Sequence, residues 1–151
     1  MNLSKHKPVF SLIFSILLLT SCNIPRDPNK SWEQAKNNSL RIGIVNKKPS
    51  ALKQKDSISL SEIQFIRDFS KEYNLKTTFT EDNESALVEK LENFELDLVL
   101  GDFKKNTIWK AKAGPIKSFD DKHVILVAQG ENKLVYKLEE YIHKIKKNGE
   151  L

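Results

Sequence analysis

Apolar positions along the chain fall into blocks with two different periodicities. Leu40-Arg41-Ile42-Gly43-Ile44-Val45 is a short β-branched run that stops at Asn46-Lys47-Lys48-Pro49, the pattern of a strand and a loop. Ser59 and Glu62 stand at capping-box spacing, and Ile63, Ile66, Phe69 and Tyr73 then recur at helical intervals beside Phe65, with Asn74 as a stop. Lys76 to Thr80, rich in Thr and Phe, predicts a second strand. Asp82 or Asn83 is placed to cap a helix with Leu87, Val88, Leu91 and Phe94 on one face. Leu96 to Leu100 predicts a third strand ended by Gly101, and His123 to Ala128 a fourth. Phe103 to Asp121 between them reads as irregular, with Gly114-Pro115 as a turn signal. Leu134, Val135, Leu138, Tyr141, Ile142 and Ile145 form the stripe of a last helix, which Lys144, Lys146, Lys147 and Gly149 suit as an end. Alternation of strand and helix implies right-handed crossovers and an α/β fold with a mainly parallel sheet flanked by helices.

The amino-terminal segment has neither periodicity. Lys5, His6 and Lys7 precede an apolar run from Val9 to Leu19, about half of the ~20 residues a membrane-spanning helix needs. A basic start and a short apolar middle fit a secretory signal peptide. Leu19-Thr20-Ser21-Cys22 resembles a bacterial lipoprotein box, in which the cysteine becomes the acylated amino terminus after cleavage. Cys22 is the one cysteine of the chain, so it is expected to be a lipid anchor rather than a catalyst. The expected division is a signal peptide over 1–21, a lipidated tether over 22–38 and a folded lobe over 39–151. Pro25, Pro28 and a polar cluster mark the tether, with a short helical turn around Trp32 to Lys36, and Trp32 is expected to pack on the lobe.

Composition narrows the function. The 151 residues are 39% hydrophobic and 30% charged, as in one globular domain. Net charge is +5, but Lys5 and Lys7 fall in the leader and no acid does, leaving 23 basic against 20 acidic residues, or +3. That balance does not suggest nucleic acid as a partner. A single cysteine excludes an internal disulfide and a zinc finger. Neither a dinucleotide-binding glycine motif nor a phosphate loop is present, and no serine has a nucleophile-elbow context. His123 follows Asp120 and Asp121, which reads as a solvated turn better than as a metal or acid–base group. No enzyme, metal or cofactor is expected.

The order of these motifs resembles the bacterial extracellular solute-binding proteins of family 3, receptors of polar amino-acid transporters. Leu40-Arg41-Ile42-Gly43-Ile44 looks like the family's opening strand, and Glu62 to Phe79 its first helix and second strand. Leu91 to Gly101, with Asp97-Leu98-Val99, resembles the approach to its third strand. Gly114-Pro115 is similar to the end of its aromatic-Ser-x-Pro-Tyr segment, with Ile116 in place of the Tyr. Leu60 and Ser61 replace the usual Gly and Phe, and Phe94 replaces a common Gly. The carboxylate-clamping Arg expected after the third strand is absent, and Asn106, Thr107 and Trp109 occupy its neighbourhood. Gln129-Gly130-Glu131-Asn132 leads straight into what looks like the family's last helix, so the resemblance implies one lobe of a two-lobe receptor. Some short bacterial proteins resembling the family share this plan, with a Thr-x-Trp and a Gly-Glu-Asn at similar places.

Two functions follow. One is a membrane-anchored lobe that binds a small polar solute, such as an amino acid, for an ABC transporter or sensor. In open α/β sheets ligands sit beyond the carboxyl ends of the strands, which singles out Lys47 and Lys48, Glu81 and Asp82, and Asp102. Asn106, Thr107 and Trp109 join them from the following loop. The other is an interaction lipoprotein without a small ligand, docking on an envelope protein or pairing as a homodimer. Both place the chain in a bacterial envelope, on the extracytoplasmic side of a membrane.

Overall fold

A computed structural model describes residues 27–46, 60–117 and 123–149. The signal segment, Cys22, Lys47, Lys48, Ser59, Asp120 and Asp121 lie outside the described residues. Four α-helices are described: α1 (Ser31–Asn37), α2 (Leu60–Glu72), α3 (Glu84–Glu92) and α4 (Asn132–Asn148). The strands are β1 (Leu40–Val45), β2 (Thr77–Asp82), β3 (Leu98–Leu100), β4 (Ala113–Lys117) and β5 (Val124–Ala128). They form one sheet in the order β2-β1-β3-β5-β4. The β1 pairings with β2 and β3 are parallel, whereas β5 runs antiparallel to both β3 and β4. The sheet expected to be mainly parallel is therefore mixed, because among the described residues no α-helix separates β3, β4 and β5 to return the chain to its starting end.

Ala113–Lys117 corrects the irregular segment expected over Phe103 to Asp121: Gly114 and Pro115 lie inside β4. Proline costs little there because β4 is an edge strand.

The central strands carry continuous apolar runs because both of their faces are covered. On one face Leu40, Ile42, Leu98, Leu100, Ile125 and Val127 meet Trp32 and Ala35 of α1, Phe65, Ile66 and Phe69 of α2, and Leu134, Leu138, Tyr141, Ile142 and Ile145 of α4. On the other face Val99, Val124, Leu126 and Ala128 meet Leu87, Val88 and Leu91 of α3. A Cβ at Gly43 would stand 2.9 Å from Leu96 Cδ1 and 3.0 Å from Leu87 Cδ2, so a side chain there would force these leucines to repack.

The described part of the expected tether, from Asp27 on, packs on the lobe. Trp32 is buried, and its ring meets Tyr73 edge-on at 5.2 Å. The N-cap of α1, Lys30, is left-handed (φ 52°) and makes no side-chain cap. The cap comes from the buried Glu131 carboxylate, which accepts from Asn29 N at 2.6 Å and Ser31 N at 2.7 Å. Asp27 returns the favour by accepting from Lys133 N, in the first turn of α4, at 2.6 Å, while its own N–H donates to Gly130 O at 3.1 Å. Lys133 also pairs with Glu33 of α1. The start of the described lobe and the start of its last helix thus cap each other.

Candidate functional site

The crevice follows from the crossovers. After β1 the chain reaches α2 on one face of the sheet, and after β2 it reaches α3 on the other. With α2 and α3 on opposite faces, the carboxyl ends of these neighbouring strands are where an open α/β sheet places its ligand crevice. Glu81, near the end of β2, is exposed at this edge with no ion pair among the described residues. Asn106 is exposed on the turn that follows β3.

The other predicted positions lie at the same end but are engaged within the lobe. Asp82 Oδ2 accepts from Lys90 Nζ of α3 at 3.0 Å, and Asp82 Oδ1 accepts from Asn83 N at 2.8 Å. The Lys90 hydrogen bond holds the Asp82 carboxyl below the usual carboxylate range, with the Asn83 N–H assisting. Asn83 in turn caps α3, accepting from Ala86 N at 3.0 Å. Asp102 Oδ1 lies 2.8 Å from His123 Nε2, at the end of the sheet to which antiparallel β3 and β5 bring them. Thr107 Oγ1 accepts from Trp109 N at 3.4 Å and so caps the 3₁₀ turn Ile108–Ala111. The Trp109 indole packs partly buried against the α3 side of the core and donates its Nε1–H to Glu84, the first residue of α3.

Three partners escaped sequence reasoning: Lys90, His123 and Glu84. Lys90 reaches back eight residues to Asp82 from the helix that follows β2, Glu84 meets Trp109 from the start of the same helix, 25 residues away, and His123 is brought to Asp102 by the pairing of β3 and β5. Arg41 and Asp97 form another unforeseen pair. Asp97, fully buried, accepts from Arg41 N at 2.8 Å, Arg41 Nε at 3.1 Å and the Arg41 NH2 group at 2.6 Å. They lock β1 to the entry of β3 at the amino ends of the strands, away from the crevice.

Exposed at this end of the sheet are the Glu81 carboxylate and the Asn106 amide, groups suited to hydrogen-bonding a polar solute. Among the described residues no group of three His, Cys, Asp or Glu side chains could hold a metal ion. No described helix is long and apolar enough to cross a membrane.

No protein-family model matches the chain, and no curated protein matches it in sequence. Solved structures do share its fold. A point mutant of domain 1 of the arginine-binding protein TmArgBP, in its arginine-bound form, superposes with a TM-score of 0.62 at 13% identity, over 76% of this chain and 97% of that one. An ancestral arginine-binding protein bound to arginine gives 0.56 at 11% identity, over 73% and 93%. The ancestral amino acid-binding protein AncCDT-1, a precursor of cyclohexadienyl dehydratase, gives 0.57 at 14% identity, over 80% and 94%. The fold is that of one lobe of amino-acid-binding proteins.

Proposed function

We propose that this chain is an envelope lipoprotein, anchored through Cys22, whose lobe holds a small polar solute of the amino-acid type for a transporter or sensor. The observation that carries the reading is exposed Glu81 near the end of β2 and exposed Asn106 on the turn after β3, at the strand ends where this fold class places its crevice. It stands in a fold shared with a single domain crystallised with arginine, so one lobe suffices to hold an amino acid in that protein. The lipoprotein box at Leu19 to Cys22 supports the anchor. Calorimetry of the full chain in detergent, titrated with polar amino acids, tests the binding. Heat that saturates, and is lost in Glu81→Ala or Asn106→Ala, supports it; no heat from any of them at ~10 mM counts against it. Mass spectrometry tests the anchor: acyl mass belongs on a peptide beginning at Cys22, and an unmodified peptide across Ser21-Cys22 would contradict it.

A specific observation favours a second reading, an interaction lipoprotein without a small ligand. Asp82, Asp102, Thr107 and Trp109 all spend polar atoms on contacts within the lobe. In that case the crevice variants would change neither heat nor melting with any solute.

A further inference from the structure

The two edges of the sheet differ. β4 contains Pro115 and ends on Lys117, features that discourage a further strand. β2 reads Thr77-Thr78-Phe79-Thr80-Glu81-Asp82, six residues without proline, glycine or lysine. Backbone bonds from Leu40 N to Lys76 O and from Asn46 N to Asp82 O, both 2.8 Å, turn its even-numbered residues toward β1. Thr77, Phe79 and Glu81 therefore direct their N–H and C=O groups outward, where no backbone partner stands among the described residues. The Phe79 side chain is 39% exposed.

We propose that this edge pairs antiparallel with the same edge of a second copy of the chain, forming one ten-stranded sheet. Only outward-facing residues can exchange backbone bonds, so a slip of one residue is excluded. The register centred on Phe79 uses the whole strand. It sets Phe79 opposite Phe79 of the second copy, Thr77 opposite Glu81, and Lys76 opposite Asp82, the last two twice by symmetry. Strand Lys76 to Asp82 is basic at one end and acidic at the other, so reversing it against itself joins opposite charges. A parallel or foreign acidic strand would lose that match.

The twofold axis is perpendicular to the sheet, which keeps α1, α2 and α4 of both copies on one side. Both chains then enter at Asp27 from the same face, as two tethers to one membrane require. Glu81 belongs to both the pairing edge and the candidate site, so the pairing is tested through Phe79, which is not a candidate site residue, and its failure is distinguishable from failure of the solute reading.

Sedimentation equilibrium of the full chain in detergent, between about 1 and 100 µM, should show dimers, and Phe79→Lys should raise the dimer dissociation constant at least tenfold. Antiparallel hydrogen-bonded pairs hold Cα atoms at ~5.5 Å, within disulfide range. Phe79→Cys should accordingly give a covalent dimer on mild oxidation, well above that from wild type, whose one cysteine is Cys22, or from Tyr136→Cys, another exposed site. A monomer throughout this range would overturn the proposal, including the case in which the edge serves a different envelope protein. So would a dimer indifferent to Phe79→Lys, or equal cross-linking at Tyr136.

Discussion

Phe94 adopts φ 58°, a left-handed conformation that costs a non-glycine residue about 1–2 kcal/mol. Its ring offsets part of that cost by packing, half-buried, against the α3 side of the core. Truncation to alanine removes the packing and keeps the strain, whereas glycine removes both. Phe94→Gly should therefore melt above Phe94→Ala, the reverse of the usual order, by the equivalent of about 1 kcal/mol; equal melting of the two would mean that the strain is absent. Asp97 makes the opposite kind of case. Asp97→Ala strands Arg41 N–H and a half-buried guanidinium, and should cost about 3 kcal/mol, read as a lower urea midpoint with an unchanged slope. At Tyr73 the phenol is pushed up to about 12, by burial first and by donating to Glu140 second. An unfolded tyrosine ionises near pH 10, so between those values the folded chain keeps a proton the unfolded chain has lost. This contribution is complete below pH 10 and is lost as pH rises through about 12. Tyr73→Phe should flatten the alkaline arm of the stability curve in that window and leave neutral pH little changed in slope.

At the scale of elements, what the sequence made legible depended on whether each element was stabilised locally. Strands β1, β3 and β5 are buried on both faces, and their unbroken apolar runs announce them. Helices α2, α3 and α4 carry stripes that only a core can use. The exceptions have distant causes. β4 was hidden by Gly114-Pro115, which signals a turn in isolation and is tolerated because one side of that strand has no neighbour. α1 was legible as a short turn around Trp32 to Lys36, but not its cap, which is Glu131, 100 residues beyond Ser31. The candidate site followed the same rule: strand order places its residues at one end of the sheet, but nothing local reveals that His123 and Glu84 hold Asp102 and Trp109. Two outcomes belong here. Glu131→Ala leaves the backbone donors of Asn29 and Ser31, before and at the start of α1, without this partner, at about 1–3 kcal/mol each, so amides of Ser31 to Asn37 should exchange faster while β1 stays protected. Removal of Leu134 to Leu151 takes away one of the three helices that cover one face of the sheet and should abolish cooperative unfolding; a sharp, unshifted transition would contradict the packing of α4.

As a whole molecule, the lobe presents half of what a two-lobed receptor closes around a solute. A solute held on one side stays in contact with water, which weakens each polar contact. The guanidinium clamp implied by the family resemblance is also missing, and charge-assisted bonds of that kind are worth about 1.5–3 kcal/mol each. Binding of a free amino acid by the monomer should then be weak, with a dissociation constant of ~1 mM. A micromolar constant, measured where sedimentation shows only monomer, would mean that residues other than those at the described edge complete the site.

The mutual capping of Asp27 and Glu131 also decides how the lobe would bear a load. A pull on the amino-terminal tether does not reach β1 first. It arrives at Asp27, passes through the bonds to Gly130 and Lys133, and is shared between the end of β5 and the first turn of α4. Those bonds act together, so α1 should resist peeling until they part as a group. In a force spectrometer, a handle at Asp27 should give one rupture for the release of α1, and Glu131→Ala should lower that force without moving the later rupture of the sheet. Wired in this way, the lobe takes up tension at its clasp and spares β1 and β2, which matters if Cys22 anchors the chain as proposed.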